Sequence, residues 1–314
     1  MARFLVTGGA GFIGSALVHR LVEAGEQVRV VDNFSTGFKR NLGDVLDRVE
    51  LVEADLVDPS VADNAVRGVE FVLHQAAIPS VQFSIDHPLA SHSSNVVGTL
   101  NLLVAAQKFA VKRFVYASSC AVYGDSEALP KVETMPENPI SPYALGKLMG
   151  EKYCGLFHKI HGLETVCLRY FNVFGPRQDP DSPYSAVISR FIRAALNGER
   201  PLVYGDGEQS RDFVHVDNVV NANLLACTSD GVAGMAFNIG TGERHSLNAL
   251  LSALSSILGD DLKPRYEPAR AGDIRHSGAD ITKAQRCLGY RPTVNFTVGL
   301  QKTVQWYKES AGLS

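Results

Sequence analysis

Val6-Thr7-Gly8-Gly9-Ala10-Gly11-Phe12-Ile13-Gly14 follows a short apolar run, Phe4-Leu5-Val6, and precedes an amphipathic one, Ser15-Ala16-Leu17-Val18-His19-Arg20-Leu21-Val22. The three pieces read as strand, glycine turn and helix. Such a turn suits the pyrophosphate of a dinucleotide. Residues without side chains let the backbone come close, and the helix N-terminus offers unpaired N–H groups with a partial positive charge. The glycines fit two frames, Gly8-x-x-Gly11-x-x-Gly14 and Gly9-x-Gly11-x-x-Gly14, and the motif does not choose between them. Asp32 closes the next apolar run, Val28-Arg29-Val30-Val31, at about the spacing where a carboxylate binds the adenosine ribose hydroxyls. A carboxylate there repels a 2′-phosphate, so the pair points to NAD rather than NADP.

A chain of 314 residues can form one large domain and a smaller one. Its 45% apolar and 20% charged residues are ordinary for a globular protein, and a net charge of -3 gives no global attraction to nucleic acid or anionic membrane. No signal-peptide layout precedes the first strand and no apolar run is long enough to span a bilayer, so a cytoplasmic protein without a membrane partner is expected. The five cysteines, Cys120, Cys154, Cys167, Cys227 and Cys287, are odd in number, scattered and without CxxC spacing. That pattern fits a reduced compartment and no zinc or other metal site.

Downstream, strand-like runs at Val49-Glu50-Leu51-Val52, Glu70-Phe71-Val72-Leu73, Arg113-Phe114-Val115-Tyr116-Ala117 and Thr165-Val166-Cys167-Leu168 alternate with helical periodicity over 60–67, 88–109 and 142–160. This predicts an α/β fold, a Rossmann-like, doubly wound parallel sheet covered by helices on both faces. Ligands of such sheets sit at the carboxyl ends of the strands. From about residue 174, Pro176, Pro180, Pro183 and Pro201 break the chain into shorter elements. An NAD-binding domain is therefore expected over 1–173 and a smaller C-terminal α/β substrate domain over 174–314. Residues 214–238 are expected to return to the first domain through a helix beginning near Val216.

Ser141-Pro142-Tyr143-Ala144-Leu145-Gly146-Lys147 has the form of a helix start, with Ser141 as N-cap and Pro142 at the first helical position. Tyr143 and Lys147, four residues apart, then share a face. A nearby ammonium favours phenolate and is expected to lower the tyrosine pKa toward neutrality, making Tyr143 a candidate general base for a sugar or alcohol hydroxyl. The same spacing also describes a buried tyrosine beside a surface lysine; the dinucleotide turn upstream favours the chemical reading. Ser119, just past a strand, could hydrogen-bond the reacting oxygen, although a lone serine there is usually turn chemistry.

Thr7 through Gly14, Asp55-Leu56, His74-Gln75-Ala76-Ala77, Ser118-Ser119, Tyr143 and Lys147 together resemble the extended short-chain dehydrogenase/reductase family. Leu168-Arg169-Tyr170-Phe171-Asn172-Val173-Phe174-Gly175-Pro176 and Gly205-Asp206-Gly207-Glu208-Gln209-Ser210-Arg211-Asp212-Phe213-Val214-His215 resemble its nucleotide-sugar branch, the UDP-hexose 4-epimerases. The resemblance implies NAD held at Gly8, Gly11, Phe12, Ile13, Gly14, Asp32, Asn33, Asp55, Leu56, Gln75, Ala76, Ala77, Tyr143 and Lys147. Pro79 stands where some relatives carry a lysine that reaches the ribose. It further implies a UDP-sugar held by Ser119, Asn172, Ala186, Val187, Tyr204, Arg211, Arg270, Asp273 and Ser277; guanidinium forks at Arg211 and Arg270 suit a pyrophosphate. A homodimer through helices near 88–109 and 142–160 is also implied.

Dehydratases and decarboxylases of the branch resemble one another in a carboxyl group just after the catalytic Ser or Thr. Cys120 and Ala121 supply none, so elimination chemistry lacks its acid and base. Enzymes acting on UDP-glucuronate usually have a threonine-type residue where this chain has Asn172. Ser277 aligns with a bulky tyrosine of epimerases restricted to UDP-glucose and UDP-galactose, so UDP-N-acetylglucosamine and UDP-N-acetylgalactosamine are expected to be accepted. The loop Val81-Gln82-Phe83-Ser84, expected to face the sugar, departs from the Pro-Arg of some acetyl-specific relatives. The expected reaction is C4 epimerisation through a transient 4-keto sugar, with Ser119, Tyr143 and Lys147 catalytic. The alternatives are a UDP-glucuronate 4-epimerase, another NAD-dependent nucleotide-sugar oxidoreductase that releases NADH, and a non-enzymatic NAD-sensing protein. Ser119, Tyr143 and Lys147, all present, argue against the last.

Overall fold

The computed structural model describes residues 3–180, 187–269 and 274–312. Strands β1 (Arg3–Thr7), β2 (Gln27–Asp32), β3 (Glu50–Glu53), β4 (Phe71–His74), β5 (Arg113–Ser119) and β6 (Thr165–Tyr170) are joined by helices α1 (Phe12–Glu23), α2 (Pro59–Val66), α3 (Val81–Asp86), α4 (Pro88–His92), α5 (Gly98–Lys108) and α6 (Pro142–His161). Beyond them come β7 (Asn172–Phe174), α7 (Val187–Leu196), β8 (Leu202–Tyr204), β9 (Ser210–Arg211), β10 (Phe213–His215) and α8 (Val216–Thr228). The chain ends with β11 (Met235–Ile239), β12 (His245–Ser246), α9 (Leu247–Leu258), β13 (Arg265–Glu267), α10 (Thr282–Leu288) and α11 (Phe296–Ser310).

One seven-stranded sheet runs in the order β11-β6-β5-β4-β1-β2-β3. Every pairing in it is parallel. Alternate residues of each strand serve opposite faces. Val6, Val30, Leu73 and Val115 pack on the face covered by α1 and α8, while Leu5, Val31, Val72 and Phe114 pack against α2 and α5. Both faces being covered, the strands read as nearly unbroken apolar runs. The reversal of strand order lies between β1 and β4, and the crevice there opens at the carboxyl edge, past Thr7 and His74.

After β6 the chain leaves the sheet and returns through α8, which packs on α1, and β11, which extends the sheet beside β6. The run Met235-Ala236-Phe237-Asn238-Ile239 is apolar enough for a strand but went unread in the sequence. The smaller part has its own core, where Ile188, Phe191 and Ile192 of α7 meet Leu250 and Leu254 of α9 and Phe296 and Leu300 of α11. Three two-stranded ladders, β7 with β10, β8 with β13 and β9 with β12, edge it.

The segment 88–109, read above as one helix, divides into α4, a π-helical turn over Ser93–Val97, and α5. The wider turn presents Asn95 inward, where its side chain bonds backbone at Ile78. No helix among the described residues is long and apolar enough to cross a membrane.

Candidate active site

The glycine turn shows which frame the backbone requires. Gly8 has φ +64°, and a Cβ there would lie 2.8 Å from backbone atoms of Ala76. A Cβ on Gly14 would lie 2.0 Å from the Gly8 carbonyl oxygen, and one on Gly11 would lie 3.1 Å from it. A Cβ on Gly9 would lie 2.6 Å from a methyl of buried Val30 and 3.2 Å from the Val6 carbonyl oxygen. Between Gly8 and Gly9, only Gly8 combines a positive φ with a backbone approach under 3 Å, which favours the frame Gly8, Gly11, Gly14. Helix α1 begins at Phe12 with Gly11 as N-cap, no side-chain cap and no acidic residue in its first turn. Its first N–H groups are thus directed at an anion's place rather than consumed by a cap. Phe12 and Ile13 form that first turn.

Asp32, at the end of β2, accepts hydrogen bonds from Ala10 N (2.9 Å) and Phe34 N (2.8 Å). Burial raises its pKa and those two N–H groups oppose the rise. Asn33 Nδ2 donates to Asp55 Oδ2 at 2.9 Å, joining the ends of β2 and β3, and Asn101 Nδ2 holds the carbonyl of buried Leu56 at 3.0 Å. A bare-backbone cradle, an uncapped helix start and a carboxylate beside it fit the pyrophosphate and ribose of NAD.

Behind the cradle a polar chain fixes the loop after β4. Ala76 N donates to Thr7 Oγ1 (3.2 Å), which lies 2.7 Å from His74 Nδ1; His74 Nε2 lies 2.9 Å from Thr99 Oγ1, and Thr99 Oγ1 donates to Asn95 O. Because the Thr99 proton is committed to Asn95, His74 Nε2 must be the donor and Nδ1 the acceptor. Burial, with the Lys147 charge added, holds His74 near 3, so it stays neutral. Asn95 Oδ1 accepts from Ile78 N at 2.8 Å and its Nδ2 donates to Ile78 O at 3.1 Å, gripping the loop after β4 that carries Ala76 and Ala77. Gln75 turns its amide to Tyr170 and Asn223. Asn95 was missed in the sequence, where nothing marks a π turn.

At the carboxyl end of β5, Ser119 accepts from Ala121 N at 3.2 Å and lies within hydrogen-bonding reach of the Tyr143 phenol. Tyr143 is the second residue of α6, whose N-cap Ser141 accepts from Ala144 N. Lys147, one turn on, is buried at 4% exposure; its Nζ donates to Ala117 O at 2.8 Å and stands 6.0 Å from the Tyr143 ring centre. The structure corrects one expectation. Burial of the phenol pushes Tyr143 up to about 12, the Ser119 hydrogen bond opposing, and burial pulls Lys147 down to about 8. Desolvation is the largest influence on both groups. Further along α6, buried Glu151 accepts from Ser118 Oγ at 2.5 Å and from Arg169 Nε and Nη2 at 2.9 and 2.7 Å, holding the helix against β5 and β6.

Cys120 connects this centre to the smaller part of the chain. Burial pushes its thiol up to about 11, against the Arg211 charge and a hydrogen bond from Ser277. Ser277 is held by backbone hydrogen bonds to Ser210 and Asp212, the neighbours of Arg211. Arg211 Nη1 donates to the carbonyls of Ser210 and Arg275. Asn172 lies on β7 opposite Phe213, Tyr204 ends β8 and Val187 begins α7. Ala186, Arg270 and Asp273 lie outside the described residues.

A doubly wound sheet with this cradle, and a serine, tyrosine and lysine gathered at its carboxyl edge, defines a dinucleotide-dependent enzyme of the short-chain dehydrogenase/reductase type. Residues 4–240 match the model of the NAD dependent epimerase/dehydratase family, and the chain belongs to that family. It is 40% identical over 313 residues to the UDP-glucose 4-epimerase of Mycolicibacterium smegmatis, covering 98% of this chain and 99% of that protein. Among solved structures it resembles the UDP-N-acetylglucosamine 4-epimerase of Methanobrevibacter ruminantium in complex with UDP-N-acetylmuramic acid, with TM-score 0.94, 39% identity and coverage of 98% and 99% of the two chains. It also resembles the UDP-glucuronic acid 4-epimerase of Bacillus cereus in complex with UDP-glucuronic acid and NAD, with TM-score 0.90, 30% identity and the same coverage.

Proposed function

We propose that the chain is an NAD-dependent C4 epimerase of UDP-hexoses and that it accepts N-acetylated sugars. The observation that carries this reading is the meeting of Ser119, Tyr143 and Lys147 at the sheet edge, with Cys120 linking them to Ser277 and Arg211. In this reading the sheet and the 214–238 return hold NAD, and the UDP-sugar is held by Asn172 together with Ala186, Val187, Tyr204, Arg211, Arg270 and Asp273 from the rest of 174–314. With the positive charges of Lys147 and bound NAD offsetting its burial, Tyr143 would ionise and, as phenolate, take the proton from the sugar 4-hydroxyl while Ser119 donates a hydrogen bond to O4. Lys147 stays largely protonated at neutral pH, since its pKa lies near 8, and its charge favours the phenolate. When bound, oxidised NAD supplies the reversible hydride acceptor and a second positive charge. The resulting 4-keto sugar turns in the site and is reduced on its opposite face, Tyr143 returning the proton.

Proton NMR of the purified protein with UDP-N-acetylglucosamine or UDP-glucose, without added NAD, tests the reading through the anomeric signals of both C4 epimers. Both sugars are expected to convert with no accumulating absorbance at 340 nm. Steady growth at 340 nm would indicate net oxidation instead. Ser277→Tyr is expected to cut kcat/KM for the acetylated sugar by about 100-fold while sparing UDP-glucose, because a ring placed beside the C2 substituent rejects the larger group sterically. Equal activity of the variant on both sugars would rule out Ser277 as the gate.

A homodimer is part of the proposal. Leu89 (83% exposed), Val104, Leu145, Leu156 and Ile160 are apolar and exposed on α4, α5 and α6. Light scattering should give twice the 33.9 kDa chain mass, falling to one chain in a Leu156→Glu, Ile160→Glu variant. A wild-type monomer would refute the dimer. The five cysteines are free thiols, which fits the reducing cytoplasm proposed for this enzyme.

A further inference from the structure

We propose that Ser84 is a positioning residue for Tyr143, acting as a cap delivered to the catalytic helix from a neighbouring one; this builds on the reading of Tyr143 as proton acceptor. The first N–H groups of a helix have no partner within it. In α6, Ser141 Oγ accepts from Ala144 N at 3.1 Å, and Tyr143 N donates to Ser84 Oγ at 3.0 Å across 59 residues of sequence. The Ser84 hydroxyl proton is in turn donated to Val81 O at 2.6 Å, so its lone pair is aimed at Tyr143 by α3 itself.

Ser84 is the one buried residue of α3, at 0% exposure, whereas Val81 and Ile85 of the same helix are 47% and 54% exposed. Ser84 is thus the fully buried polar group of this short helix, beside a half-buried Phe83. The catalytic turn of α6 is pinned at both ends: Lys147 Nζ to the β5 carbonyl of Ala117, and Tyr143 N to Ser84. The pinned nitrogen is one bond from the Cα that carries the phenol. Loss of the acceptor leaves that N–H without a protein partner and frees the first turn to shift relative to Ser119. An error of about 1 Å in placing a reacting group can cost on the order of 100-fold in rate.

Three variants test this. Ser84→Ala is expected to lower kcat by about 10- to 100-fold with KM for the UDP-sugar within twofold and the bound NAD content unchanged. Ser80→Ala removes the N-cap of α3, where Ser80 Oγ accepts from Phe83 N at 3.0 Å, and serves as the control for general loosening of that helix. It should leave kcat within about threefold of wild type, since its hydroxyl serves α3 and not α6. Tyr143→Phe reports on the underlying reading. With Tyr143→Phe inactive, wild-type kcat in Ser84→Ala, or an equal loss in Ser80→Ala, overturns the positioning role alone. An active Tyr143→Phe overturns the proton-acceptor reading and the positioning role with it.

Discussion

Tyr143→Phe should remove roughly 1,000-fold or more of the turnover while the purified protein still carries its NAD. The substitution deletes one oxygen from a residue whose backbone is held by Ser84 and whose helix is held by Glu151 and Arg169. The fold therefore has no reason to change, and neither does the glycine cradle some distance away on β1 and α1. What is lost is the atom that must release and accept the proton at the sugar oxygen. Ser119 cannot replace it, because an aliphatic hydroxyl is a far weaker acid than a phenol, and Lys147 donates to the Ala117 carbonyl. The measurement is kcat by NMR alongside NAD released on denaturation. Activity above about a tenth of wild type would remove Tyr143 from the mechanism.

Gly14→Ala is expected to yield protein without NAD and with a lower melting temperature. The added Cβ would stand 2.0 Å from the Gly8 carbonyl oxygen, 2.8 Å from its carbonyl carbon and 2.9 Å from Gly9 Cα. All three are backbone atoms, so no rotamer change relieves the overlap. Either α1 moves away from the turn or the turn opens. Both displace the N–H groups that face the pyrophosphate. Overpacking of this kind costs about 1–3 kcal/mol, a fall of several degrees in Tm at roughly 2–4 °C per kcal/mol for a chain of this size. Gly9→Ala is closed as well, since its new methyl would stand 2.6 Å from a methyl of fully buried Val30 and 3.2 Å from the Val6 carbonyl oxygen. Cofactor content and Tm are the measurements. Gly14 belongs to both glycine frames, so a Gly14→Ala protein with full NAD content would refute the closed backbone cradle itself rather than choose between the frames.

The parts of this protein legible in its sequence are those determined over short distances. The strand, turn and helix around Gly8–Gly14, the Ser141 and Pro142 helix start, and the spacing of Tyr143 and Lys147 follow from local backbone chemistry and helical period. The parallel sheet followed from apolar runs alternating with amphipathic ones, because helices on both faces leave strands no polar side. The edge strand Met235–Ile239 escaped notice because it sits far along the chain from the strand it pairs with. The break in the helix at Ser93–Val97 escaped because its cause, the grip of Asn95 on Ile78, comes from 17 residues away.

The sequence alone, then, determined the cradle, the fold class and the residue types available for proton transfer. Tertiary structure decided how those residues behave. Burial moves Tyr143 up to about 12 and Lys147 down to about 8, the reverse of what an exposed neighbouring pair would do for the tyrosine. The Tyr143 N–H is accepted by Ser84 from another helix, and Cys120 stands near enough to Arg211 and Ser277 of the smaller part for them to bias its thiol. Desolvation and hydrogen-bond partners depend on which distant segments the fold brings together, and helical period and turn chemistry carry no information about that.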